Sequence, residues 1–164
     1  MSRLDSFIRR LSAQRDCLAE AARLIAGLPG PVLELGLGNG RTYDHLRETL
    51  PGREIFVFDR QIAAHPDCIP DTDHMMLGDF ADTLSGVAAR LPAPVALAHM
   101  DVGLHDPAAN AAQCALVAGA VAPLMAAGGV IVADQAMTQP GWTPLALPDG
   151  VPEDRYFMYR AAGG

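Results

Sequence analysis

The chain has 164 residues, half of them hydrophobic, and a formal net charge of −7. That length supports one packed core and about one domain, and an acidic chain has no electrostatic reason to bind nucleic acid or an anionic membrane. All twelve basic residues are arginine, which excludes a lysine Schiff base, a pyridoxal-phosphate lysine and a Walker A phosphate loop.

Cys17, Cys68 and Cys114 form no C-x-x-C pair. An odd, sparse count argues against a disulfide scaffold and fits a reducing, cytoplasmic setting. No apolar run reads as long enough to span a bilayer, and the N-terminus lacks a signal-peptide core. Its Arg-rich amphipathic start would suit a mitochondrial presequence, but Asp5, Asp16 and Glu20 speak against that.

Leu4, Phe7, Ile8, Leu11, Leu18, Ala21, Ala22 and Ile25 recur at helical spacing, so residues 1–27 hold one amphipathic helix, over about 4–26. Gly27, Pro29, Gly30 and Pro31 end it. The core, residues 31–161, alternates between strands and helices. Val32–Leu35 reads as a strand and Thr42–Leu50 as a helix. Glu54–Phe58 is a strand ending at Asp59. Met75–Leu77 is a short strand and Phe80–Leu91 a helix. Val95–Met100 is a strand ending at Asp101, and Pro107–Ala126 a long helix with proline in its first turn. Gly129–Ala133 is a strand ending at Asp134. Residues 135–152 carry four prolines and no helical period, which predicts a loop, and Arg155–Arg160 reads as a last strand. The alternation predicts one α/β domain with a doubly wound, mostly parallel sheet and a shortened C-terminal end.

The run Val32-Leu33-Glu34-Leu35-Gly36-Leu37-Gly38-Asn39-Gly40 is a buried strand ending in an acid and three closely spaced glycines, followed by a helix. Open α/β sheets bind nucleotides at such an edge. A dinucleotide fold would want G-x-G-x-x-G, but the third glycine comes one residue early and Arg41 stands where the late one should be. Asp59 follows the second strand about twenty residues on, where a carboxylate can accept both ribose hydroxyls. Leu77-Gly78-Asp79-Phe80 follows the third strand. Asp79 is equally placed to cap the next helix. Asp101, His99, His105 and Asp106 sit around the end of the fourth strand, and Asp134-Gln135 around the fifth. His105 is the best general-base candidate of the histidines, and His99, inside a strand, reads as a packed core residue.

E-x-G-x-G-x-G resembles the pattern of class I S-adenosylmethionine-dependent methyltransferases. The resemblance covers roughly residues 31–161. It implies a Rossmann-like methyltransferase fold that takes S-adenosyl-L-methionine and releases S-adenosyl-L-homocysteine. Glu34, Gly36, Gly38, Asn39 and Gly40 would meet the methionyl part, with Glu34 reaching the ligand's amino group directly or through water. Asp59 would take the ribose, while Asp79, Phe80 and Arg60 would flank the adenine. Asp101 would face the acceptor, with His105 or Asp134 beside it in a catalytic role. The chain is short for this family. The usual helix after the fifth strand is missing, and the final pair of antiparallel strands reads as one. A reduced edge predicts a homo-oligomer.

No Asn/Asp-Pro-Pro-Tyr motif is present, so the expected acceptor is a small molecule rather than a nucleobase or glutamine amide. Asp101 with Asp134-Gln135 is similar to the metal pattern of catechol-type O-methyltransferases, but Gln replaces Asn and no metal is expected. His65, Asp67, Cys68, Asp71, Asp73 and His74 crowd one loop at spacings that fit no zinc pattern. Trp142 suits either a substrate wall or an oligomer contact. Two other readings stay open. A NAD-dependent oxidoreductase shares the acid after the second strand but fails on glycine spacing and lacks Tyr-x-x-x-Lys. A non-enzymatic protein that binds the cofactor or its product would need no acceptor site at all.

Overall fold

The computed structural model describes residues 1–162. Helix α1 (Arg3–Leu24) precedes strand β1 (Val32–Leu35), helix α2 (Arg41–Thr49), strand β2 (Ile55–Asp59) and strand β3 (Met75–Leu77). Then come helix α3 (Phe80–Gly86), strand β4 (Val95–Met100), helix α4 (Pro107–Val121), strand β5 (Met125–Ala133), strand β6 (Trp142–Pro144) and strand β7 (Phe157–Ala161). One seven-stranded sheet runs in the order β3-β2-β1-β4-β5-β7-β6. The first five strands pair in parallel, and β7 is antiparallel to both neighbours.

The central strands are apolar on both faces because helices cover both. On one face Leu33, Leu35, Phe56, Phe58 and Ile131 pack with Leu84 of α3 and Cys114, Val117 and Val121 of α4. On the other, Val32, Val57, Leu97 and Val132 pack with Cys17, Leu18 and Ala21 of α1 and Tyr43 and Leu46 of α2. Among the described residues only three polar ones are buried, Gln14, Glu34 and His99. Glu34 and His99 are register partners on adjacent strands, on the α1 side.

α1 begins with a capping box. The Ser2 hydroxyl accepts from the Asp5 amide at 3.0 Å and the Asp5 carboxylate accepts from the Ser2 amide at 3.0 Å. Its far end is fastened by Arg53, whose guanidinium donates to the carbonyls of Ile25, Leu28 and Gly30, each at 2.8 Å.

Several boundaries differ from the sequence reading. The final strands are two, not one. β6 is three residues long, and its pairing with β7 sets it off from a stretch that carries only loop signals. The edge is therefore finished by a short strand ending in proline, a common guard against further pairing, and the shortened edge no longer argues for a partner. The helix expected over 80–91 stops at Gly86 and continues as a 3-10 turn, Val87–Ala89. The helix expected to Ala126 stops at Val121. Pro123 sits in the 3-10 turn that follows, and β5 already starts at Met125. The run Pro107–Leu124 is also, by length and composition, apolar enough to cross a membrane, contrary to the sequence reading. Here it is a helix whose Cys114, Val117, Ala118 and Val121 pack on the sheet.

Candidate active site at the carboxyl edge of the sheet

The chain winds from β1 outward to β3 and then crosses back to β4, so the carboxyl ends of β1 and β4 form the switch point where such sheets bind ligands. Two cavities meet there. One, of about 350 Å³, is lined by Gly36, Gly38, Asp59, Arg60, Phe80, Asp101, Val102, Gly103, Leu104 and Gln113. The other, of about 180 Å³, lies between α1 and the start of α2, with Arg10, Gln14, Asn39 and Arg41 among its walls. Gly36, Gly38 and Asp101 belong to both.

The three glycines have different reasons to be there. Gly36 has φ +97°, and a Cβ would lie 2.3 Å from the Asp101 carbonyl oxygen, so β1 and β4 could not close up with any side chain at this position. A Cβ at Gly40 would lie 2.5 Å from that of Cys68, so this glycine serves the packing of the β2–β3 loop. At Gly38 a Cβ would meet nothing within 4 Å. Its bare backbone faces open space, and a ligand can approach it closely.

Asp59, at the end of β2, takes the Gly38 amide at 3.1 Å on one carboxylate oxygen and the Gln61 amide at 3.3 Å on the other. A carboxylate has about four acceptor sites, so two remain for a diol. Phe80 and Arg60 wall the same cavity. Arg60 holds Asp79 in an exposed ion pair at 2.5 Å. Asp79 makes no side-chain cap on α3 and stands beside the cavity, outside its lining. Asn39 is exposed and accepts the Arg41 amide at 3.3 Å.

Glu34 is placed differently from the expectation of ligand contact. It is 0% exposed and lines neither cavity. The Thr42 hydroxyl donates to one of its oxygens, and His99 Nδ1 lies 2.7 Å from the other. His99 Nε2 is 3.2 Å from the Tyr156 hydroxyl, which receives a hydrogen bond from Gln14 Nε2 at 2.6 Å. A chain of polar groups thus runs under the glycine loop from α2 through β1 and β4 to α1. Burial disfavours a charged His99, but the Glu34 carboxylate outweighs it, with Asp101 and Asp134 adding, so its pKa is raised.

Asp101 faces the junction of the two cavities. Both its oxygens take the Arg10 Nη2 group, at 2.7 and 2.9 Å, and Gln14 Nε2 lies 3.4 Å from one of them. Burial works against the Arg10 charge, but Asp101 prevails and raises its pKa. Asp134 stands behind the cavity wall, outside the lining. Its oxygens accept the Val102 amide at 3.0 Å and the Gly103 amide at 3.1 Å, with Gln135 Nε2 also at 3.1 Å. Burial, then the nearby Asp101, raise its pKa. Those bonds make Asp134 a clamp on the loop after β4. Gln113 secures the same loop through the Val102 carbonyl at 2.6 Å, and Asn110 through the Leu104 amide at 2.8 Å. His105 is exposed, outside both cavity linings, and is not brought together with Asp101.

The sequence reading missed Arg10, Gln14, Gln113 and Tyr156. Gln14 alone carried a signal, as a polar side chain between Leu11 and Leu18 on the inward stripe of α1, and Arg10 lies one turn before it. A further cavity, of about 520 Å³ along Pro144–Val151 and Tyr156–Tyr159, touches no predicted site residue. Trp142 packs on Tyr159, ring centroids 5.9 Å apart, and lines a cavity beside α4, away from the site. Among the described residues no cluster of three or more His, Cys, Asp or Glu is arranged to hold a metal ion.

The open Gly38 backbone and the spare acceptor sites of Asp59 can receive a ligand that carries a diol. Residues 1–161 match the family described as S-adenosyl-L-methionine methyltransferase. A crystal structure described as an S-adenosyl-L-methionine methyl transferase from Silicibacter pomeroyi DSS-3 is 45% identical, covers 98% of this chain and 99% of that one, and superposes with a TM-score of 0.91. More distant likenesses show the fold alone. A putative caffeoyl-CoA O-methyltransferase from Staphylococcus aureus is 11% identical, with 88% and 82% of the two chains covered and a TM-score of 0.60. Human methyltransferase-like protein 13, in complex with SAH, is 15% identical, with 98% and 81% covered and a TM-score of 0.58. No curated protein matches the chain. With its whole core matched by one family and by a relative at this identity, the chain belongs to the S-adenosyl-L-methionine methyltransferase family.

Proposed function

We propose that this chain transfers the methyl group of S-adenosylmethionine to a small-molecule acceptor. The observation that carries the reading is the cleft of about 350 Å³ that gathers Gly36, Gly38, Asp59, Phe80 and Asp101 at the switch point. The bound cofactor supplies a methyl group made electrophilic by its sulfonium. In this reading Asp59 accepts the ribose hydroxyls, and Phe80, Arg60 and Asp79 flank the adenine. Gly36, Gly38, Asn39 and Gly40 bring backbone close to the methionyl part at the start of α2. Glu34 supports that loop from beneath through Thr42.

Asp101 orients the acceptor and takes its proton. Asp134 keeps Val102 and Gly103 in place as the wall beside it, and His105 is a proton acceptor at the rim. A neutral amine would need only alignment and exclusion of water, whereas a hydroxyl would also need the base. The acidic balance of −7 supports a small acceptor over nucleic acid. Self-association belongs to the same reading. Its support is α4, which has no charged residue over Pro107–Val121 and leaves Leu116 44% exposed.

The test is titration calorimetry with S-adenosylmethionine, S-adenosylhomocysteine and NAD in parallel, followed by transfer of a labelled methyl group to a panel of small amines, phenols and thiols. Binding of the first two without NAD, and turnover with one acceptor, is the expected result. Light scattering reads the subunit number. A second reading, a binder without turnover, is favoured by one observation, the Arg10 group already seated on Asp101. Turnover with any acceptor excludes it.

A further inference from the structure

The two ends of α1 are held very differently. Arg53 fixes the C-terminal end by donating to the carbonyls of Ile25, Leu28 and Gly30, and Ala13, Gln14, Cys17, Leu18 and Ala21 bury its middle. The first turns leave the core, with Leu4 65%, Phe7 45% and Ile8 51% exposed. What ties this end to the sheet is Arg10 on Asp101, aided by Gln14. Both bonds to Asp101 come from one nitrogen, Nη2. Nε and Nη1 of Arg10 make no hydrogen bond among the described residues, and the group is 39% exposed. It borders the cavity of about 180 Å³ that Asn39 and the glycine loop close from the other side. A cavity with spare guanidinium donors beside a helix N-terminus is complementary to a carboxylate.

We propose that Arg10 is a further ligand-binding residue, which receives the carboxylate of the cofactor's methionyl part on the donors that Asp101 leaves free. Asp101 then has a second task. It orients Arg10, so that one guanidinium joins the acceptor-side carboxylate, the ligand and α1. Binding of a carboxylated ligand fastens the first turns of α1 over the site, and a ligand lacking that carboxylate leaves them as loose as before. The inference rests on the cofactor reading above.

The experiment compares S-adenosylmethionine with decarboxylated S-adenosylmethionine, which differs only in the missing carboxylate. Taking the affinity ratio within each protein cancels any loss of folded material. Wild type is expected to prefer the carboxylated ligand by about tenfold or more, the scale of one charge-assisted contact. Arg10→Gln should bring the ratio close to one, and Asp101→Asn should lower it. Arg41→Gln, at the exposed mouth of the same cavity, should leave most of it.

Amide hydrogen exchange over residues 3–10 supplies the second readout. It should slow in wild type with S-adenosylmethionine and stay unchanged with the decarboxylated ligand. A ratio that survives Arg10→Gln, one abolished by Arg41→Gln instead, or equal slowing by both ligands overturns the inference while leaving the cofactor reading intact. Binding of neither ligand by wild type overturns the cofactor reading itself, and the inference with it.

Discussion

The buried pair of Glu34 and His99 gives the sharpest test of how this fold is held. Both side chains are 0% exposed, and they meet at 2.7 Å. Replacing His99 with Leu fills the space and leaves the Glu34 carboxylate with Thr42 as its remaining partner, and the Tyr156 hydroxyl with Gln14. Removing one member of a buried pair costs about 3–5 kcal/mol, a large share of the ~5–15 kcal/mol by which a domain is stable. Glu34→Met combined with His99→Leu removes both charges and should cost less than His99→Leu alone, since an apolar replacement of a whole pair is often nearly neutral. Urea denaturation followed by far-ultraviolet dichroism reads these values by linear extrapolation.

The pH dependence has a definite sign. His99 has a raised folded pKa, so its contribution is fully present below the unfolded histidine value of about 6.5. It is lost as pH rises through the folded value. The gap between wild type and His99→Leu should therefore narrow on going from pH 6 toward alkaline pH. A His99→Leu cost below about 1 kcal/mol, or a double variant costing the sum of its parts, would refute the idea that a charged pair sits here.

Other changes probe the rest of the site. Asp59→Ala should weaken S-adenosylhomocysteine binding by about 1–3 kcal/mol, the scale for polar ligand groups left without a partner, and unchanged affinity in calorimetry would remove the ribose from this carboxylate. Gly36→Ala, with its Cβ 2.3 Å from the Asp101 carbonyl oxygen at φ +97°, should exceed the ~1–3 kcal/mol of ordinary backbone strain. A soluble protein with an unaltered melting curve would contradict that contact. Arg53→Ala should cost about 2–3 kcal/mol, because its three charged hydrogen bonds end at part-buried carbonyls. Its effect on hydrogen exchange should be greatest in the last turn of α1.

What could be read from the chain was whatever depends on local stereochemistry. The glycine loop was legible because its backbone conformations exclude side chains, and the central strands because burial on two faces leaves runs such as Ile55-Phe56-Val57-Phe58. The failures lie where pairing or chain-breaking acts at longer range. Met125-Ala126-Ala127-Gly128-Gly129 has little strand character, yet it forms the first half of β5. There Met125 pairs with Val95, and the register shifts before Val130 meets Leu97. Trp142-Thr143-Pro144 is a strand through its ladder to β7.

The same division runs through the site. An acid at the end of an apolar strand announces itself, but its partners do not. Gln14 and Tyr156 are 142 positions apart, and no spacing rule connects them. This bears on how Glu34 should be understood. Its place in the motif suggests an acid that grips the ligand's amino group, whereas its burial, its bond from Thr42 and its partnership with His99 suit a support for the loop above. The two roles predict different chemistry. An acid that touches the amino group discriminates between S-adenosylhomocysteine, which has one, and 5′-methylthioadenosine, which lacks it. A support moves the glycine loop and harms both equally. Glu34→Gln keeps the size of the side chain and an oxygen for Thr42, and should lower the affinity for both ligands by the same factor in calorimetry. A loss confined to S-adenosylhomocysteine would return Glu34 to the ligand and show that the cavity floor opens when the cofactor enters.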